Sequence, residues 1–244
     1  MHTPTRQRQP RVHQATLTVL LSAVVFLLAQ LTACGSTAPP PSTNFPACDV
    51  LLDNDVINSS QLSVLTLNLA HGRKESFNQM LQKSSTTRRN LEEIAGFLKS
   101  SGADLIALQE ADAPSRWSGK FDHVEFVSNK SAYPCRLHAS HAKKYMYDFG
   151  TALLSRVPFT ESLAHTFAPS PPTTNKGFVM GKVQWNPGGE LPQPITVSVI
   201  SVHLDFSRKK VREAQIGDCL LYTSPSPRDQ RPNLVCRLLL EKGG

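Results

Sequence analysis

Three apolar runs in this sequence each carry a single polar side chain at or near their end. Asn68 follows Leu65-Thr66-Leu67, Glu110 follows Leu105-Ile106-Ala107-Leu108-Gln109, and His203 follows Val199-Ile200-Ser201-Val202. Buried strands that deliver an amide, a carboxylate and an imidazole to one edge of a sheet hold reactive groups on a rigid scaffold. Each residue alone also fits an ordinary role: Asn68 a turn former, Glu110 a solvated edge carboxylate, His203 a satisfied core histidine. Other polar residues read as structural. His138 and His141 have a His-x-x-His spacing that suits a metal, yet they read better as loop histidines, and His71, His123 and His165 have no metal-ligand spacing. Asp205 reads as a strand-exit carboxylate that caps the next helix. No Gly-x-Ser-x-Gly elbow occurs, which counts against a serine hydrolase.

The elements that must position these residues alternate strands with one clear helix, so the class is α/β or α+β. Residues 61–69 read as a core strand that ends at the polar cluster 68–73. Ser84-Ser85-Thr86-Thr87 offers N-caps for a helix in which Leu91, Ile94, Ala95 and Leu98 repeat on one face, and Gly102 stops it. Residues 104–109 are then a short buried strand with Glu110 just past its end. Strand, helix and strand at this spacing place both strands in one sheet. Further strand patterns cover 150–155, 178–185 and 195–203. The turn-rich stretches 168–174 and 186–189 read as loops. Ser207 can cap a last helix through Lys209, Val211, Arg212 and Gln215.

The charge balance of 26 Lys+Arg against 19 Asp+Glu is a property of the ends rather than the middle. Residues 35–218 hold 19 basic and 17 acidic side chains, so the overall charge is no evidence for a nucleic-acid-binding surface, and nucleic acid is a possible but not favoured partner. At the N-terminus, Arg6, Arg8 and Arg11 precede a short apolar stretch and then Leu31-Thr32-Ala33-Cys34. That order resembles a bacterial lipoprotein signal, with 1–33 removed and Cys34 lipidated. Gly35 after the cysteine implies sorting to the outer membrane, so the expected location is the cell envelope, facing the periplasm or the surface. Residues 34–60 read as the lipidated cysteine and a Pro/Ser/Thr-rich tether. At the other end, Cys219 to Asp229 reads CLLYTSPSPRD and Asn233 to Gly244 reads NLVCRLLLEKGG. Both back-translate to sequences resembling transposon-type sequencing adapter, so 219–244 is expected to be a non-native tail with no packing of its own. The domain proper is then 61–218, with its gene cut short near Asp218.

Asn68, Glu110 and His203, with Gly150-Thr151-Ala152-Leu153-Leu154-Ser155 between the second and third, resemble the endonuclease/exonuclease/phosphatase superfamily in order and spacing over about 61–216. The resemblance implies a four-layer αββα sandwich, incomplete at its C-terminus, and a metal-dependent phosphoesterase or phosphodiesterase. Glu110 would be a direct ligand of Mg²⁺, with Mn²⁺ as the alternative ion, and Asn68 would share that site by orienting a water or substrate oxygen. His203 would face the phosphate from the other side as the catalytic histidine. Tyr147 could contact phosphate, though a core aromatic is the simpler reading. Loops such as 116–119 and 167–176 would choose among a nucleic-acid phosphodiester, a phospholipid headgroup and a sugar or inositol phosphate.

Two family segments are missing: a Gly-Asp-x-Asn run and a final Ser-Asp-His strand end. Gly217-Asp218 is followed by Cys219-Leu220 and does not supply the first. The chain itself is therefore expected to be inactive. The alternative is a non-catalytic surface lipoprotein that keeps the sandwich as a binding module. With Cys34 lipidated and Cys219 and Cys236 set aside, Cys48 and Cys135 are the remaining thiols, either as a disulfide or as two unpaired residues.

Overall fold

The computed structural model describes residues 47–48, 54–74, 82–188, 193–223 and 234–236. Its strands are β1 (Ala47–Cys48), β2 (Val56–Asn58), β3 (Val64–Asn68), β4 (Leu105–Asp112), β5 (Cys135–Lys143), β6 (Asp148–Ser155), β7 (Glu161–Thr166), β8 (Gly177–Asn186), β9 (Ile195–His203) and β10 (Leu234–Cys236). Its helices are α1 (Ser84–Ser101), α2 (His123–Ser131) and α3 (Lys209–Thr223). A 3-10 turn, Ala70–Gly72, follows β3.

Two five-stranded sheets form. One has the order β1-β5-β6-β4-β3, and the other β10-β9-β8-β2 with β7 also paired to β8. Alternation along the strands sets the layers. Leu105, Ala107, Leu137, Leu153, Val183, Val197 and Val199 fill the space between the sheets. Ile106, Leu108, Ala152 and Leu154 point the other way, onto Leu91, Ala95 and Leu98 of α1 and Val124 and Val127 of α2. Phe178, Met180, Ile200 and Val202 face outward from the second sheet, where Leu204 and Cys219 pack on them. A strand buried on both faces needs apolar residues at every position, which is why β4 reads as a continuous run rather than an alternation. The result is the expected α/β sandwich of two sheets between helical layers.

Several boundaries differ from the sequence reading. Helix α1 begins at Ser84 with Lys83 as its cap residue and no capping side-chain bond. Two hydroxyls of its first turn are engaged elsewhere: Ser84 Oγ donates to the Gly119 carbonyl and Thr87 Oγ1 accepts from Gln82 Nε2. Helix α2 had no strong periodic signal; its start is set by Asp122, whose carboxylate accepts the Glu125 N–H at 2.9 Å. His138 and His141 lie on β5, not in a loop. Val56–Asn58, within the span read as tether, pairs in parallel with the C-terminal part of β8. Cys48 and Cys135 form a disulfide that staples β1 to β5.

The C-terminal stretch is also a correction. Helix α3 continues through Asp218 to Thr223, and the Tyr222 ring lies 4.5 Å from that of His165. Leu234–Cys236 pairs in parallel with β9. Cys219 and Tyr222 are apolar enough to cover the outer face of the second sheet, so residues after 218 do pack here. Cys34, the segment 1–33 and residues 224–233 and 237–244 lie outside the described residues.

Candidate active site

Glu110 is not past the end of its strand. It is the extra residue of a β-bulge inside β4, between Gln109, which pairs with Thr151, and Ala111, which pairs with Gly150. Its φ is +48°, a left-handed conformation that a residue with a Cβ adopts at a cost. Bulges of this kind turn a side chain out of the regular alternation and recur beside active sites. The bulge frees the carboxylate from both packed faces of β4 and aims it along the sheet edge.

Both oxygens of that carboxylate face imidazoles. Oε1 is 3.7 Å from His203 Nε2, and Oε2 is 3.5 Å from His71 Nε2. His203 is the last residue of β9 and lies opposite Gly177 of β8, so it arrives from the second sheet. A buried clamp fixes the two sheets just behind this point: Ser201 Oγ donates to the Leu108 carbonyl at 2.7 Å and accepts from Gln109 Nε2 at 3.1 Å. Asn68 ends β3 in register with Gln109, which places it next to Glu110 on the same edge. Its Oδ1 accepts the Ala70 N–H at 2.8 Å, so the turn-forming role is real and the amide nitrogen is the end left to donate.

His71 is the residue that motif reading missed. It has no useful spacing from other histidines, and only the fold brings it to Glu110. Its Nδ1 donates to Asp112 Oδ2 at 2.9 Å, and its ring packs edge-on to Phe149 and against Trp117. Asp112 is fully buried; burial alone would raise its carboxyl, and the His123 and His71 rings reverse that and hold it below the usual carboxylate range.

The remaining polar residues are not brought to the site. His138 contacts the Ala111 carbonyl, whereas His141 lies between the hydroxyls of Thr166 and Thr151, so the two rings do not converge on one ion. Burial pushes His141 down to about 3, and His138 is also lowered by burial. Asp205 takes N–H groups of Ser207 and Arg208 at the entry to α3 and pairs with the Arg208 guanidinium, which is the capping role expected of it. Tyr147 stacks on Trp117 and Phe149. Among the described residues no cluster of three His, Cys, Asp or Glu side chains forms a ready-made metal cage. One re-aimed carboxylate beside an amide, with two imidazoles facing it, is a sparse donor set of oxygen and nitrogen. Its carboxylate suits a divalent cation that keeps most of its waters.

Residues 65–238 match the sequence profile of the endonuclease/exonuclease/phosphatase family. The chain belongs to that family. The matched span covers every site residue above and runs on into the stretch read as adapter-derived. Among solved structures, an endonuclease/exonuclease/phosphatase from Beutenbergia cavernae is similar at 16% identity and TM-score 0.50, covering 71% of this chain and 46% of that one. A family protein from Leptotrichia buccalis is similar at 16% identity and TM-score 0.49, over 68% and 63% of the two chains. A humanized D. rerio TDP2 is similar at 18% identity and TM-score 0.47, over 72% and 60%. The chain thus spans less than two thirds of the length of each. No curated protein matches it. Endonuclease/exonuclease/phosphatase proteins are phosphoesterases and nucleases that generally use divalent metals, and the two-sheet fold here is theirs.

Proposed function

We propose that this domain is the core of a Mg²⁺-dependent hydrolase of phosphoester or phosphodiester bonds, held at the cell envelope through lipidated Cys34. The observation that carries the reading is the bulge at Glu110, which spends backbone strain to set a carboxylate 3.7 Å from His203 across the two sheets. A phosphorus centre is shielded by its anionic oxygens, and a bound divalent cation supplies the charge that offsets them. Glu110 is the residue that would hold that cation, with Asn68 beside it. The Asn68 amide donates to a substrate oxygen and fixes its orientation. His203 Nε2 donates to a non-bridging oxygen or assists the leaving group from the opposite side. The near-neutral charge of 35–218 favours a compact phosphoester over extended DNA.

A second reading has one observation in its favour. Cys219-Leu220 stands where the family's x-Asn is needed after Gly217-Asp218, so the chain has no orienting Asp-Asn pair and no final Asp-His. A binding module without catalysis would need neither. The two readings separate on a chromogenic phosphodiester. The 244-residue chain is expected to be silent, while the protein expressed from independently amplified genomic DNA is expected to turn over. In that protein His203→Ala should lower turnover by roughly 10²–10⁴-fold, the usual range for a lost proton-transfer group. Wild-type turnover in the His203→Ala variant would remove His203 from the mechanism, and an inactive protein from genomic DNA would favour the binding module.

A further inference from the structure

We infer that His71 is a positioning residue for Glu110, and that Asp112, His71 and Glu110 act as one buried chain; its meaning for catalysis rests on the hydrolase reading above. A bulged residue lacks the ladder neighbours that fix a side chain in a regular strand, so something else must hold the Glu110 carboxylate. His71 is built to do so. It sits at φ +58° in a turn whose next residue, Gly72, is at φ +70°. Gly72 is pressed against α1, where an added Cβ would lie 2.9 Å from Thr87 Cγ2. The Gly72 carbonyl accepts from Asn90 Nδ2 at 2.9 Å and Gln82 Nε2 at 3.0 Å, which locks the turn to that helix.

The ring itself is fixed on its other sides. Asp112 takes Nδ1 at 2.9 Å, Phe149 lies edge-on with centroids 4.7 Å apart, and Trp117 lies 5.2 Å away. What remains is Nε2, and it faces Glu110 Oε2. Asp112 is also 3.4 Å from His123 Nδ1, and His123 Nε2 donates to the Ser118 carbonyl in the loop that carries Trp117. One buried carboxylate therefore ties together the turn after β3, the bulge of β4 and the loop wall beside the site. A carboxylate behind an imidazole is the arrangement that orients histidines around metal centres, where losing the outer partner weakens metal binding about 10–100-fold. Here the order is extended by one link, with a second carboxylate in front.

The test uses the 244-residue chain labelled with ¹⁵N-histidine. In the metal-free protein, Glu110→Gln should shift the ring signals of His71 and leave those of His123 in place, whereas Asp112→Asn should move both. A merely structural His71 would not respond to the amide. Mn²⁺ titration read by electron paramagnetic resonance is the second arm. His71→Ala should weaken binding at least about 10-fold in protein that remains folded, at a lowered thermal midpoint because Asp112 loses a buried partner, and His71→Gln should restore part of the affinity. Ring signals of His71 indifferent to Glu110→Gln, or wild-type Mn²⁺ affinity in His71→Ala, would overturn the inference and leave the hydrolase reading standing. A wild-type chain that binds no Mn²⁺, with the ring coupling present, would count against the metal reading and leave the positioning role intact.

Discussion

Glu110 costs the fold twice: a left-handed backbone worth about 1–2 kcal/mol for a non-glycine residue, and a carboxylate largely withdrawn from water. Neither cost has a structural return, because β4 would pair more regularly without the extra residue. The opposite holds for Asp205. Burial would raise its carboxyl, yet Arg208, the amides of Arg208 and Ser207 and the Thr173 hydroxyl hold it well below the usual range. Its contribution to stability is present above about pH 4 and is lost as pH falls below that. His141 gives the complementary signature. It is pushed down to about 3 by burial, with the rings of His138, His203 and His165 adding to the shift, so the unfolded chain binds its proton first. Between about pH 6.5 and 3 the unfolded state therefore gains on the folded one as pH falls. Denaturant unfolding across that range should show a pH slope reduced by up to about one proton in His141→Gln, which keeps hydrogen-bonding capacity toward Thr151 and Thr166. An unchanged slope would mean that His141 titrates normally in the folded protein.

At the scale of elements, the disulfide between Cys48 and Cys135 closes a loop with a separation of 87 residues. In the entropic account such a closure stabilises by about 4–5 kcal/mol, so Cys48→Ser should lower unfolding free energy by that order. Mass spectrometry of a non-reduced digest should recover the linked peptides, and two free thiols would contradict the pairing. The sequence made β4, α1 and β9 legible because each has a long apolar signal and a clear stop. It hid β5, whose residues Cys135–Lys143 mix His, Arg and Ser with apolar positions, and β2, three residues long in a polar stretch. The site was legible in type but not in geometry. Asn68, Glu110 and His203 stood out as polar groups beside apolar strands, whereas the bulge depends on pairing with Gly150, far along the chain. A Cβ on Gly150 would lie 1.8 Å from the Ala139 carbonyl oxygen, so this close approach of strands is what lets Glu110 and His141 bulge on either side of β6. His71 was invisible because its partners Asp112 and Trp117 meet it only through the parallel pairing of β3 with β4.

At the scale of the whole molecule, the middle of the chain is near-neutral while its two ends carry the excess of basic side chains. The adapter reading of 219–244 predicts that independently amplified genomic DNA departs from this sequence at about the Cys219 codon. The same codons recovered from such DNA would make α3 and β10 native throughout. Glu110 is proposed to hold a catalytic cation. The most direct test of that role is hydrolysis of a chromogenic phosphodiester in Mg²⁺, with and without chelator, by the protein expressed from independently amplified genomic DNA. The account predicts turnover that chelation abolishes and that Glu110→Gln lowers by at least roughly 10²–10³-fold with the fold retained. Turnover that survives chelation, or a Glu110→Gln variant as active as wild type, would contradict it.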